Sequence, residues 1–152
     1  MPNRPPLQGR RVLLVDDEEY AGDWLVHFVS DLGCELVHCF AESRARDQLR
    51  AIARGEAEFA LAVFDLMVPT HTFEELLEWD GELKDSMETG LRLCEFARSE
   101  LAITESQLPI LTISSRSDEG IRARFEKLGI PFFDRTQTYP IRKYISKILN
   151  PE

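Results

Sequence analysis

The sequence predicts an α/β protein built on one doubly wound parallel sheet. Short apolar runs rich in branched residues, such as Val12-Leu-Leu-Val15, read as strands buried on both faces, as strands inside parallel sheets are. Between these runs lie stretches with apolar residues at helical spacing, so strand and helix alternate along the chain. The first and third strands end on acids, Asp16-Asp17 and Asp65. Acids at such strand ends stand in the crevice above the sheet, where open α/β folds bind their ligands.

Each element can be justified in turn. The strand that begins at Arg11 delivers Asp16 and Asp17 to its carboxyl end. A helix over about residues 19–32 follows, with Ala21, Leu25, Phe28 and Leu32 on one face and Gly33 as its stop. A second strand covers about 35–40. The next helix, 42–53, turns Ala45, Leu49 and Ile52 inward and has Gly55 after it. The third strand, 58–65, ends on Asp65. After an irregular stretch, a helix over 89–101 buries Leu93, Cys94, Ala97 and Leu101. Residues 109–114 make the fourth strand, and 118–128 a helix through Ile121, Phe125 and Leu128 that Gly129 ends. The fifth strand is 131–134. The last helix carries Ile141, Tyr144, Ile145, Ile148 and Leu149 at i, i+3, i+4, i+7 and i+8, with Pro140 near its first turn. The count is five strands and five helices. Residues 1–9 read as a tail and 10–152 as one domain, interrupted by an insert at about 70–88.

Composition narrows the class. With 43 % hydrophobic and 30 % charged residues, the chain suits a soluble globular protein, and its apolar runs are too short for a membrane span or a secretory leader. Three cysteines, at 34, 39 and 94, give an odd count without disulfide spacing and point to a reducing cytoplasm. A net charge of −9 argues against a nucleic-acid surface, which needs a basic stripe. Three carboxylates crowded at Asp16, Asp17 and Asp65 repel one another, so the site wants a proton or a hard divalent cation. No glycine-rich turn follows the first strand, which separates this pattern from a nucleotide fingerprint.

Over nearly its whole length the chain resembles response-regulator receiver domains, the phosphoacceptor modules of two-component signalling. The resemblance rests on the acid pair Asp16-Asp17, on Asp65-Leu-Met-Val-Pro69 with proline four residues after the aspartate, and on the strand from Pro109 that ends at Ser114. It implies the flavodoxin-like strand order 2-1-3-4-5 with helices on both faces, a magnesium ion, and transfer of a phosphoryl group from a partner's histidine to Asp65. By the same match Asp17 is a direct metal ligand, and Asp16 acts directly or through water. Asp65 and the backbone carbonyl of Met67 complete the set, and Ser114 donates its hydroxyl to the phosphoryl group. Chemistry agrees: a carboxylate can attack a phosphoryl donor once charge on the transferring oxygens is neutralised, and magnesium takes oxygen ligands.

Two departures stand out. The family's fifth strand ends in a lysine, usually followed by proline, whereas this segment reads Gly129-Ile-Pro-Phe-Phe-Asp-Arg135-Thr-Gln. Arg135 is the natural substitute, although its planar fork differs from a lysine's point charge; alternatively it is a surface arginine. Phe132 takes the place of the aromatic that moves with the switch, or is plain core. The other departure is the insert. Thr72-Phe-Glu-Glu75 has the form of a capping box, so Phe73, Leu76 and Leu77 can form one face of a short helix. Residues 71–88 hold seven acids against one lysine, with Trp79 among them, which suits a lid, a docking surface or a solvated flap.

Other chemistries fit less well. Cys34 and His38 share one strand face while Cys39 points to the other, which favours core packing over zinc. No nucleophile elbow surrounds Ser114-Ser115, and Met67 stands where a magnesium-dependent phosphohydrolase would need a second acid. Basic residues on the last two helices, among them Arg122, Arg124, Arg142 and Lys147, read as a solvated face or a docking region. The expected function is a stand-alone, cytoplasmic receiver, not primarily an enzyme. It takes phosphate from a sensor histidine kinase or phosphotransfer protein and passes the signal to a target protein, without nucleic acid or membrane insertion. The alternative is a pseudo-receiver of the same fold that is never phosphorylated.

Overall fold

A computed structural model of the chain describes residues 10–16, 23–68, 73–78, 88–114 and 119–150. The elements in order are β1 (Arg11–Val15), α1 (Asp23–Asp31), β2 (Glu35–Cys39), α2 (Glu42–Ala53), β3 (Leu61–Asp65), α3 (Phe73–Glu78), α4 (Thr89–Glu95) running into a π-helical turn (Phe96–Glu100), β4 (Ile110–Ser114), α5 (Glu119–Leu128), β5 (Phe132–Asp134) and α6 (Thr138–Leu149). The strands form one sheet in the order β2-β1-β3-β4-β5, every neighbouring pair parallel. This is the doubly wound, flavodoxin-like order.

Alternation along the strands splits the core in two. Val12, Leu14, Leu61, Val63, Leu111 and Ile113 face α1 and α6, where Leu25, Val29, Ile141, Ile145 and Leu149 meet them. Leu13, Val15, Ala62, Phe64 and Ile110 face the opposite layer, closed by Leu49 of α2, Leu91 and Cys94 of α4, and Phe125 of α5. β3 and β4 are buried at all five positions, as the absence of polar alternation in their sequences predicts.

Helix ends follow the glycines. Gly129 adopts φ +71° after α5, and the two backbone bonds that close the turn, Ile130 N–H to Phe125 O at 3.1 Å and Gly129 N–H to Glu126 O at 3.0 Å, form a Schellman stop. Gly33, at φ +86°, ends α1 with the same pair of bonds, from Cys34 to Val29 and from Gly33 to Ser30.

Three expectations change. The buried face of α1 runs through Leu25 and Val29, with Phe28 and Leu32 only partly covered, so the helix is rotated toward its β-branched valine. Ala21 lies outside the described residues. The helix over 89–101 keeps α geometry only to Glu95. It widens beyond that point because Arg98 folds back to donate to the carbonyls of Ile103 at 3.1 Å and Leu108 at 3.0 Å, drawing the following loop under the helix. Finally, the short helix read in the insert is present as α3, so the described residues hold six α-helices rather than five. Among the described residues, no helix is long and apolar enough to cross a membrane.

Candidate functional site

Strand parity assembles the site. Asp16 continues the Val12–Leu14 face of β1, Asp65 continues the Leu61–Val63 face of β3, and Arg135 continues the Phe133 face of β5. All three reach one cleft at the carboxyl edge of the sheet, walled by Trp24 and Leu25 of α1 and floored by Leu14, Val63 and Ile113. Asp16 is 3 % exposed and Asp65 9 %. Carboxylates this deep need partners. One Asp65 oxygen, Oδ1, accepts the Met67 N–H at 3.1 Å; the other, Oδ2, accepts a short bond from Arg135 Nη2. Arg135 Nη1 lies 3.6 Å from Asp16 Oδ2, so one guanidinium spans both acids.

The backbone holds these groups in place. Asp16 N–H donates to Cys39 O at 3.0 Å, and His38 Nε2 donates to Asp16 O at 2.8 Å, which fixes the imidazole proton on Nε2. His38 also stacks on Phe40, with ring centroids 4.0 Å apart. Arg135 N–H donates to Ser114 O at 3.0 Å, extending the β4–β5 ladder by one residue. On the far side of Asp65, Gly90 N–H donates to Leu66 O at 2.8 Å, setting α4 directly on the end of β3.

The expected site residues fall out as follows. Asp16, Asp65 and Arg135 share the cleft, and Arg135 is no outlying surface residue. Ser114 ends β4 one residue beyond Ile113, the partner of Asp65; it is 1 % exposed, has the strand parity of Thr112, and is not among the residues lining the cleft. Phe132 is half-buried, 5.0 Å from the Phe125 ring, with the Arg122 guanidinium 5.1 Å over its own ring. Met67 is 38 % exposed beyond the end of β3. Asp17, Pro69 and Trp79 lie outside the described residues. Of the insert, α3 is described: Glu75 Oε1 accepts the Ser43 hydroxyl at 2.6 Å, which places that helix against the start of α2. Among the described residues, no three histidine, cysteine or acidic side chains gather as a metal cluster. Asp16 and Asp65 nonetheless bring hard carboxylate oxygens to one cleft, and one or two carboxylates suffice for magnesium. The zinc reading does not fit: Cys34 and Cys39 are buried in opposite core layers. Burial pushes the Cys39 thiol up to about 11 and the Cys94 thiol up to about 12, so neither is a reactive thiolate.

Sequence reasoning missed Trp24, His38 and Gly90 at the site. Trp24 carried a signal, since it flanks Leu25 on the helix directly after the acids. The glycine inside a helical pattern was another, because it costs helix stability without a packing reason. For His38 no sequence signal names the Asp16 carbonyl as its acceptor.

No protein-family model and no curated protein matches the sequence. Solved structures do match in fold. The non-phosphorylated HemR receiver domain of Leptospira biflexa is 23 % identical with a TM-score of 0.62, covering 93 % of this chain and 94 % of its own. The BeF3-activated receiver domain of Klebsiella pneumoniae RstA is 17 % identical with a TM-score of 0.62, covering 93 % and 99 %. The chemotaxis response regulator CheY4 of Vibrio cholerae is 16 % identical with a TM-score of 0.61, also covering 93 % and 99 %. The chain therefore has the fold of response-regulator receiver domains.

Proposed function

We propose that this chain is a phosphoacceptor receiver: it takes a phosphoryl group onto Asp65 and thereby switches a contact with another protein. The observation that carries the reading is Asp65 itself, a carboxylate at the end of β3 with a guanidinium on one oxygen and a backbone amide on the other, in a receiver fold. A carboxylate oxygen of Asp65 attacks the phosphorus of a phosphohistidine on a sensor kinase or phosphotransfer protein. The phosphorus–nitrogen bond breaks, its electron pair returns to the imidazole, and the ring takes a proton from water. Asp65 becomes an acyl phosphate. Arg135 then pairs with phosphoryl oxygens through its fork, and Ser114 donates its hydroxyl to another. Asp16, Asp17, Asp65 and the Met67 carbonyl would hold magnesium, which when bound would add positive charge near the transferring oxygens.

The working unit is residues 10–152, preceded by a tail at 1–9, and a reducing cytoplasm suits its three buried free thiols. Apart from slow loss of its own phosphoryl group, it acts as a signalling module rather than a turnover enzyme. The BeF3-activated RstA receiver supports the chemistry by showing that a neighbour of this fold accepts a phosphoryl mimic. The second reading, an unphosphorylated adaptor, draws on the same arginine, whose bond to Asp65 engages the nucleophile. Incubation with acetyl phosphate and magnesium, followed by intact mass, decides between them. One acid-labile phosphoryl group is expected on the parent protein and none on Asp65→Asn. An unlabelled parent, under quenching that would preserve an acyl phosphate, makes the adaptor the better reading.

A further inference from the structure

Arg135 does more than substitute for a missing lysine. Its two terminal nitrogens are set on two different carboxylates, Nη2 on Asp65 Oδ2 and Nη1 3.6 Å from Asp16 Oδ2. An ammonium group is a compact point charge, whereas a planar fork can span two acids. Asp16 and Asp65 are nearly buried, and Leu14, Val63, Ile113 and Trp24 line the cleft around them. In that setting a neutralising cation is worth far more than in water.

The anchoring of Arg135 limits how it can move. Its N–H is held by Ser114 O at 3.0 Å. On either side of it, the Asp134 carboxylate takes the Thr136 N–H at 2.9 Å and its hydroxyl at 2.6 Å, while the Gln137 amide oxygen takes the Asp134 N–H at 2.8 Å. The backbone of this turn is thus fixed, and the guanidinium can leave Asp16 only by a change of side-chain rotamer. The side chain is 26 % exposed, so an outward path exists. The contact to Asp16, at 3.6 Å, is longer than the one to Asp65 and beyond hydrogen-bond reach, so it is the weaker of the pair.

Resting on the phosphoacceptor reading, we infer that Arg135 is a built-in counter-cation that a divalent metal ion must displace from Asp16. Metal and guanidinium compete for the same buried oxygens, and two cations this close in an apolar cleft repel. The chain's metal affinity is therefore set by its own arginine. Without metal, Arg135 offsets part of the cleft's negative charge, and metal entry leaves Arg135 directed at Asp65, where an incoming phosphoryl group arrives.

Trp24 lines the same cleft and serves as the reporter; Trp79 is the other tryptophan of the chain, so the test uses the Trp79→Phe background. Magnesium chloride is titrated at constant ionic strength while Trp24 fluorescence and, independently, calorimetric heat are followed. Arg135→Ala is expected to bind magnesium about tenfold more tightly than the background protein, because one competing cation is removed from the cleft. Arg135→Lys, which keeps a cation but on a compact ammonium without the planar fork, should fall between them and remains informative if the alanine variant does not fold. Equal or weaker magnesium binding in both variants overturns the inference and leaves the phosphoacceptor reading to the labelling experiment. Saturation by magnesium in none of the three proteins removes the metal site, and the inference with it, a result distinct from equal affinities.

Discussion

At Gly90 a single missing methyl group decides where the phosphoacceptor strand can end. A Cβ built there would lie 2.5 Å from the Asp65 carbonyl oxygen and 2.8 Å from the Leu66 Cα, both backbone atoms that cannot swing aside. Helix α4 can rest on the end of β3 only because this position is glycine. Gly90→Ala should therefore push the Asp65 peptide out of place. Overpacking of this kind costs about 1–3 kcal/mol. A urea midpoint lowered accordingly, together with slower acetyl phosphate labelling of Asp65, is the expected outcome; an unchanged midpoint means the approach is looser than the geometry implies. The residues that bear charge were legible beforehand, because acids that close buried strands are conspicuous in a sequence. The residues that position them were not. Gly90 and His38 act on backbone atoms of distant segments, partners that local spacing does not record, although the helical glycine itself, and Trp24 beside Leu25, were visible signals.

Among the elements, the start of α2 is the junction to test. Glu42 is 4 % exposed, with Oε2 taking two bonds from Arg46 at 3.0 and 2.8 Å and Oε1 taking one from Arg92 of α4 at 3.1 Å. Arg92 also donates to the Thr89 hydroxyl at 3.1 Å, which in turn donates to Val68 O at 2.5 Å, just beyond β3. The next residue of α2, Ser43, carries the link to α3 of the insert. One buried acid thus joins α2, α4 and the segment that follows Asp65. Burial alone would raise the Glu42 carboxyl, but the hydrogen bonds and charges of Arg92 and Arg46 outweigh it and hold the group below its ordinary value. A depressed folded-state value adds stability above the unfolded-state value, 4.5, and that stability is lost as pH falls through the folded-state value. Glu42→Gln should therefore cost about 1–3 kcal/mol near neutral pH, where a charged acceptor is replaced by an amide. The gap to the parent protein should close in unfolding curves recorded well below pH 4.5. A gap independent of pH would show that packing, not charge, is what Glu42 supplies. The extents of most elements could be read from period and glycine stops, as at Gly33 and Gly129. The π-helical turn could not, since its cause is Arg98 reaching carbonyls five and ten residues ahead.

For the whole molecule, alternation of strand and helix predicts a parallel doubly wound sheet without ordering its strands; the order 2-1-3-4-5 came from the resemblance, and the sheet has it. Its consequence is that β1 and β3, which end on Asp16 and Asp65, are neighbours at the centre, while β5 brings Arg135 in from the edge. The site is therefore built on the most buried strands, the ones whose amides open only when the whole domain unfolds. A ligand that binds only the folded state stabilises it by RT ln(1 + [L]/Kd), so every globally exchanging amide slows by one common factor, about a hundredfold at 100 Kd. With beryllofluoride and magnesium near that level, hydrogen exchange at residues 12–15, 61–64 and 111–113 should slow by that shared factor. Helix α3, only six residues long, is too short to be stable on its own and should exchange by local opening and keep its rate. Protection confined to the ends of β3 and β4 would instead mean that the site opens as a unit separate from the core. Slowing that extends into α3 would mean that the Ser43–Glu75 bond carries the state of Asp65 into the insert.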